Sequence, residues 1–206
     1  MIPSSKPFVL GLTGSMGAGK TTASRRLGEL GAFVLDADQA ARAAVGPGSP
    51  GLKAVVARFG PGLLRPDGTL DRPALAARAF GDAGELAALN GILHPLVKAA
   101  LLRGLGEAAR RGAAVAVLDV PLLFECGWQT LCDETWLVAA PEALRLARAA
   151  ARDGMSPAAA KARLAAQMPE AQKRALADVV LENDGTVAAL LAQVDGHYAR
   201  LRKGAL

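Results

Sequence analysis

Hydrophobic positions along this chain follow two alternating rhythms. Continuous apolar runs recur at Phe8-Val9-Leu10-Gly11-Leu12, Ala32-Phe33-Val34-Leu35, Ala114-Val115-Ala116-Val117-Leu118, Thr135-Trp136-Leu137-Val138-Ala139 and Asp178-Val179-Val180-Leu181. Short runs without polar alternation suit strands covered on both faces of a parallel sheet. Between them apolar residues return every three or four positions, the helical period. Ala23, Leu27 and Leu30 form such a face over Thr21 to Leu30, and Gly31 follows as a helix-ending glycine. Strands alternating with helices predict an α/β fold, a parallel five-stranded sheet flanked by helices.

One segment breaks the alternation. The breaker cluster Gly46-Pro47-Gly48-Ser49-Pro50-Gly51 marks a boundary, and from Leu52 to about Arg111 the pattern is helical throughout. Leu52, Val55, Val56 and Phe59 give one apolar face, and Leu75, Ala79 and Phe80 another. Leu86 and Leu89 follow, then Leu96, Val97 and Leu101, with turns at Pro61-Gly62 and Pro66-Asp67-Gly68. The spacing predicts a helical insert over 46–111 inside a core of 1–45, 112–150 and 176–206. His94-Pro95 is expected to open the insert's last helix, with proline at a tolerated first-turn position. His94 then either caps and packs or contacts a substrate. Further on, Ser156-Pro157 starts a helix that Met168-Pro169 breaks, and Gln172, Lys173 and Arg174 continue as a polar face. The last helix, Val187 to Leu201, reads as packing, with His197 and Tyr198 structural or on the surface.

The loop between the first strand and the first helix carries the chemistry. Gly14-Ser15-Met16-Gly17-Ala18-Gly19-Lys20-Thr21 fills G-x-x-x-x-G-K-[ST], a phosphate-binding loop. Backbone N–H groups must curl round a phosphate there, and glycines allow that approach and tolerate positive φ. The next helix aims its positive N-terminus at the same anion. Lys20 is expected on the β- and γ-phosphates and Thr21 on a Mg²⁺ ion. The alternative, a glycine-rich turn with a chance lysine, does not account for the strand and helix on either side.

Three further acids belong to strand ends, where open α/β sheets bind ligands. Asp36 and Asp38 close the second strand, and alternation puts both on one side if the chain stays extended there. Each is a candidate general base or Mg²⁺ contact, and each is also a candidate helix cap. Asp119 closes the third strand, placed to hold Mg²⁺ through water. Downstream, Arg145, Arg148 and Arg152 share one helical face, either a solvated stripe or a phosphate clamp. Asn183 in Glu182-Asn183-Asp184-Gly185 is either a turn residue or an adenine contact through its amide.

Composition narrows the class. The 206 residues are 51% hydrophobic but only 4% aromatic, so the core is largely Ala, Leu and Val. A formal charge of +5, without a dense Lys/Arg block or interleaved aromatics, suits a small polyanionic ligand better than nucleic acid. Cys126 and Cys132 fit no zinc spacing and are expected as reduced, partly buried thiols. Trp128 reads as a hydrophobic contact. Met1 to Pro7 holds no long apolar stretch of a leader, and no uninterrupted apolar run is long enough for a bilayer. A soluble, cytoplasmic protein is the expectation. Asn-Lys-x-Asp, Asp-x-x-Gly and Leu-Ser-Gly-Gly-Gln are absent, which argues against a GTPase switch or an ABC motor; a nucleoside monophosphate kinase remains the nearest rival.

Longer stretches go beyond a generic phosphate-loop protein. Gly11-Leu12-Thr13-Gly14 through Gly19-Lys20-Thr21, Leu35-Asp36-Ala37-Asp38, Asp67-Gly68-Thr69-Leu70-Asp71-Arg72, Leu93-His94-Pro95 and Pro121-Leu122-Leu123-Phe124-Glu125, in that order, closely resemble dephospho-CoA kinases. So do Arg148 with Arg152-Asp153, Ala166-Gln167-Met168, and Ala177-Asp178-Val179-Val180 with Asn183, and the resemblance covers roughly residues 8 to 200. It implies the fold of P-loop nucleoside triphosphate hydrolases, with the insert as a substrate-binding subdomain and 151–175 as a helical lid. It further implies that ATP phosphorylates the ribose 3′-hydroxyl of dephospho-CoA, a small-molecule substrate, in a monomer or weak homo-oligomer.

The same resemblance distributes the roles. Asp38 would be the base facing the hydroxyl, with Lys20, Arg148 and Arg152 on the phosphates. The loop residues Gly14 to Thr21, with Thr22 and Asn183, would hold ATP, and Thr21 and Asp119 the Mg²⁺. Asp36, Asp38, Arg42, Arg72, His94, Pro121, Leu122 and Glu125 would contact the acceptor. Two positions depart from the family pattern: Ser15-Met16 stands where Gly-Ile or Gly-Val is frequent, and Arg145 where many relatives have Gln. From the residues alone, which of Asp36, Asp38 and Asp119 sits nearest the metal stays open. One expectation joins these parts, an acidic tip on the strand neighbouring the phosphate loop's own.

Overall fold

The structure, a computed structural model, describes residues 6–154 and 156–204. Most of the stretch searched for a leader, and the Phe80 side chain counted on an apolar face, lie outside the described residues. The elements run β1 (Phe8–Thr13), α1 (Lys20–Glu29), β2 (Phe33–Asp36), α2 (Ala37–Ala44), α3 (Pro50–Phe59), α4 (Arg72–Phe80), α5 (Ala83–Arg110) and β3 (Val115–Asp119). They continue with β4 (Glu134–Ala139), α6 (Glu142–Asp153), α7 (Pro157–Ala165), α8 (Glu170–Leu176), β5 (Val179–Glu182) and α9 (Val187–Gly204). Two compact units result: Met1–Leu35 with Leu105–Leu206, and Asp36–Gly104.

The first unit is built on a five-stranded sheet in the order β2-β3-β1-β4-β5. β1 pairs in parallel with β3 on one side, Leu10 opposite Val117, and with β4 on the other, Leu12 opposite Trp136. Parallel pairing sends the carboxyl ends of these strands to one edge. From β1 the chain runs out to β2, returns to β3, then crosses to the far side of β1 for β4 and β5. Loops that diverge in this way open a crevice for ligands.

Burial explains the order. β3 is buried at all five of its positions and β1 at all but one, so both need strands on either side. Every residue of β2 is only half-buried, which suits an edge. β2 is therefore not the neighbour of β1. The neighbour that carries an acidic tip is β3, and the acid is Asp119. Under the sheet, Leu10, Leu12, Ala23, Leu27, Val117, Trp136, Val138 and Leu181 form one core with Leu190 and Val194 of α9. Arg26 of α1 ties to Asp195 of α9 through both guanidinium edges, at 2.7 and 2.8 Å. His197 meets Trp136 edge-on at 5.6 Å, and Tyr198 is buried.

The second unit has its own core of Val45, Leu52, Val55, Phe59, Leu63, Leu70 and Leu75, with Leu89, Ile92 and Leu93 of α5 against it. Gly51 is required at the start of α3, since a Cβ would stand 2.2 Å from the Ala44 carbonyl oxygen. Pro95 does not open a helix here; it lies inside the 28-residue α5. Proline interrupts a helix by crowding the carbonyl four residues back. That residue is Gly91, whose missing side chain leaves the turn room to adjust. α5 also contains a stretch of mean hydropathy 1.3, enough by length and composition to cross a bilayer. Asn90, His94 and Lys98 lie along this helix, 17% of the stretch is buried, and Leu89, Ile92 and Leu93 pack against the unit's core.

Candidate active site

The phosphate loop is held in shape by contacts that leave no room for side chains. Gly17 (φ +77°) and Gly19 (φ +100°) are in the left-handed region. A Cβ on Gly17 would lie 2.2 Å from the Arg145 carbonyl oxygen, and one on Gly19 2.2 Å from the Asn183 amide nitrogen. Gly14 is equally confined, with the Val138 carbonyl oxygen 2.8 Å from where its Cβ would be. Ala18 is buried, and its N–H closes a turn on the Ser15 carbonyl at 3.0 Å. No side chain caps α1 at Gly19, so the helix N-terminus presents its own N–H groups.

Asn183 is the staple of this loop. Its side-chain amide donates to the Ala18 carbonyl at 2.7 Å, and its backbone N–H to Ala139 at 2.7 Å. It is buried, and Arg148 donates to its carbonyl at 3.1 Å. The amide expected to read adenine is thus engaged with the loop's backbone. Beside the loop, the Lys20 ammonium pairs with Asp119, a nearly buried carboxylate at the tip of β3. Thr21 is exposed on the first turn of α1 and Thr22 is half-buried.

The segment after α7 reaches the phosphate loop. The Gln167 side-chain oxygen accepts the Met16 N–H at 3.1 Å. Glu125 accepts from the Met168 N–H at 3.0 Å and from the Lys173 ammonium at 2.8 Å. Lys173 also donates to the Pro121 carbonyl, which receives the Thr13 hydroxyl at 3.1 Å. Lys173 is fully buried rather than part of a polar face. An ammonium without water requires this ring of acceptors.

The three arginines of α6 do not act alike. Arg145 is buried, donating to the Ala140 carbonyl at 2.9 Å and pairing with Glu170 at 3.1 Å, so it braces α6 and α8. Arg148 is half-buried beside Asn183, and Arg152 is exposed. A helix face two turns long is not uniformly solvent-facing when α8 covers its first member.

These features fit a nucleotide. Two glycines that must lack Cβ atoms, an uncapped helix N-terminus and the buried Ser15 hydroxyl without a hydrogen-bond partner all surround one loop. They also fit Mg²⁺. Among the described residues no cluster of three or more His, Cys, Asp or Glu exists, and Mg²⁺ habitually takes one or two protein oxygens with substrate phosphates and water. Exposed Thr21 on the first turn of α1 and Asp119 at the tip of β3 are oxygen donors of the kind such a set takes.

A family model described as CoaE, dephospho-CoA kinase, matches residues 8–189. The chain belongs to the dephospho-CoA kinase family. A dephospho-CoA kinase of Anaeromyxobacter dehalogenans is 45% identical over 196 residues, which are 95% of this chain and 93% of that one. One of Symbiobacterium thermophilum is 44% identical over 190 residues, 92% and 80% of the two chains. Among solved structures, TT1252 of Thermus thermophilus aligns over 96% of this chain and 99% of its own, with TM-score 0.81 and 38% identity. The dephospho-CoA kinase of Campylobacter jejuni aligns over 96% and 98%, with TM-score 0.71 and 26% identity.

Dephospho-CoA kinase membership directs attention to residues in both units. In the first, Leu122 is half-buried, and the Pro121 carbonyl and the Glu125 carboxylate serve Lys173 of α8. In the second, Asp36 is the cap of α2, its Oδ1 accepting the Asp38 and Gln39 N–H groups at 2.8 and 3.0 Å. The chain therefore does not stay extended to Asp38, which is exposed in the first turn of the helix. Capping claims Asp36 and leaves that duty off Asp38. Arg42 and Arg72 are exposed, and Arg72 donates to the Arg42 carbonyl at 3.0 Å. His94 is half-buried, and burial lowers its pKa, favouring the neutral imidazole.

Two residues with clear work here had no role assigned from sequence. Gln167 stood in a dephospho-CoA kinase motif, but nothing local shows that it faces the phosphate loop. Lys173 carried no signal at all, because a lysine between glutamine and arginine reads as surface.

Proposed function

We propose that this chain is an ATP-dependent kinase that phosphorylates the ribose 3′-hydroxyl of dephospho-CoA, giving coenzyme A and ADP in the last step of coenzyme A synthesis. The observation that carries the reading is the family match across residues 8–189 joined to a loop whose glycines and buried staple are built for phosphate. Phosphoryl transfer needs little covalent help from a protein; positioning and charge neutralisation dominate. Backbone N–H groups of the loop Gly14 to Thr21 that are not engaged within the protein hold the nucleotide's phosphates. Lys20, released from Asp119 to the anion, draws charge from the phosphoryl oxygens, and Arg148 and Arg152 add guanidinium donors. Thr21 and Asp119 would hold Mg²⁺, which when bound would add further neutralisation of the phosphate oxygens. Asp38 accepts the proton of the 3′-hydroxyl as the new P–O bond forms. Segment 151–175 acts as a lid over the nucleotide. The acceptor is a small molecule, and we read the protein as a cytoplasmic monomer or weak homo-oligomer without nucleic-acid or membrane partners.

The deciding experiment supplies ATP with dephospho-CoA and identifies the product by mass and by the position of the new phosphate. A 3′-phosphate is expected. Phosphorylation of a nucleoside monophosphate with dephospho-CoA untouched would replace this reading by its rival. Asp38→Asn is expected to lower kcat far more than it raises the KM for ATP, and Lys20→Ala to impair both. Near-wild-type turnover of the Asp38 variant would remove that residue from the role.

A further inference from the structure

Gln167 rests a carboxamide on the phosphate loop and leaves half of that group unused. Its side-chain oxygen accepts the Met16 N–H at 3.1 Å. Only an acceptor can face an N–H group, so this contact fixes which way round the amide lies, oxygen on the loop and nitrogen turned from that N–H. Among the described residues the nitrogen has no hydrogen-bond partner. Gln167 is half-buried, so the amide's donors remain open to a ligand. They belong to the same planar group as the oxygen and therefore stand beside Met16.

The backbone that carries Gln167 is tied on both sides. Its own N–H closes the end of α7 on the Leu164 carbonyl at 3.0 Å, and the next N–H, of Met168, goes to Glu125 at 3.0 Å. Glu125 is held in turn by the Lys173 ammonium at 2.8 Å, which also donates to the Pro121 carbonyl at 3.2 Å. That carbonyl receives the Thr13 hydroxyl, and Thr13 immediately precedes the loop. A ring of contacts thus leaves the loop at Thr13 and returns to it at Met16, with a fully buried charge on its far side. β1 and β3 feed the ring from their carboxyl ends, the edge at which Lys20 pairs with Asp119. Holding one N–H does not require an amide, since a carboxylate or a hydroxyl accepts as well. What the amide adds is donors without charge.

We propose that Gln167 is a further catalytic residue, its amide nitrogen donating to the terminal phosphoryl group of the bound nucleotide; the proposal rests on the function given above. Donors held in advance at the oxygens of a phosphoryl group in transit are a chief means of speeding its transfer. A neutral donor suits a place near Lys20, because it adds a hydrogen bond without a second cation to repel the first. The ring gives that donor a fixed position, so little ordering is left to be done when the nucleotide arrives.

Gln167→Glu and Gln167→Ala separate this role from that of a simple latch. Glutamate keeps an oxygen for the Met16 N–H and exchanges the donors for a negative charge; alanine loses both. Kd is measured for ATP and for ADP, then kcat and KM with dephospho-CoA. In Gln167→Glu the affinity for ATP should fall about tenfold or more with that for ADP held within about twofold, and kcat should fall about 100-fold. In Gln167→Ala the affinity for ATP should fall by a larger factor than that for ADP. A Gln167→Glu protein that binds ATP and turns over like the parent, or an equal weakening of ATP and ADP in both variants, overturns the proposal. Where glutamate prevents folding, the ATP-to-ADP ratio of Gln167→Ala decides alone, and a ratio equal to the parent's overturns it. Nucleotide affinities need no acceptor, so a parent that leaves dephospho-CoA untouched counts against the functional reading only.

Discussion

Asn183→Ala separates two roles for the residue that closes β5. From sequence its amide is a candidate adenine reader; in the structure it donates to the buried Ala18 carbonyl at 2.7 Å. Truncation leaves that carbonyl without its donor in a place water does not reach. The penalty for a buried acceptor so abandoned is about 1–3 kcal/mol. For a chain of this length each kcal/mol is about 2–4 °C in Tm, so a loss near 2 kcal/mol lowers the ligand-free midpoint by about 4–8 °C. The loosened loop also binds any nucleoside triphosphate less well, because Ala18 lies within the cradle. Calorimetry of the ligand-free protein, followed by KM values for ATP and GTP, reads both effects. The expected result is a lower midpoint with both KM values raised in the same proportion. An unchanged midpoint together with an altered ATP-to-GTP preference would refute the staple and restore the adenine contact. Asn183→Asp should be worse than alanine, since it turns a donor into a buried charge against a carbonyl.

Gly17→Ala forces a side chain into a left-handed turn with its Cβ 2.2 Å from a backbone oxygen, which cannot rotate away. Strain of about 1–2 kcal/mol from the dihedral alone adds to the clash, and titration with a fluorescent ATP analogue should show binding lost; wild-type affinity would contradict the geometry. Cys132 is half-buried, and desolvation chiefly, with Asp133 and Asp178 nearby, pushes its thiol up to about 12. Maleimide at about pH 8 should therefore leave Cys132 unmodified in the native protein and label it after denaturation; stoichiometric native labelling counts against this. His94 is held below its ordinary pKa by burial, so on acidification the unfolded chain takes up its proton first, starting near pH ~6.5. Its stabilising contribution is complete above that pH and is lost as pH falls toward the folded value. Urea titrations of His94→Gln between about pH 7 and 5 should show a flatter pH dependence than the parent, and identical slopes would exclude the residue as a contributor.

Which parts were legible in advance follows from how far their causes extend along the chain. The phosphate loop is a local object: glycines at fixed spacing, a lysine and a threonine between an apolar run and a helical one. The five strands announced themselves in the same way, as uninterrupted apolar runs, though only β1, β3 and β4 are buried along most of their length. The cap of α2 was half legible. An Asp-Ala-Asp stretch before alanines predicts a cap, but only the turn geometry awards it to Asp36 and places Asp38 one step inside the helix. Pro95 misled because a local breaker rule carries no information about a long helix that packs well enough to absorb a proline.

Strand order, by contrast, is decided by which runs must be covered on both sides, a comparison among segments far apart in the chain. It places β3, not β2, beside β1, and so brings Asp119 to Lys20. The contacts that shape the loop span similar distances: Asn183 meets Ala18 across 165 positions, and Gln167 meets Met16 across 151. Buried Lys173 and the divergent fates of Arg145, Arg148 and Arg152 have the same origin, since a side chain's surroundings come from whatever element folds over it. Sequence determined the pieces and their chemistry because those depend on neighbours in the chain; tertiary structure decided the partners, because they depend on neighbours in space.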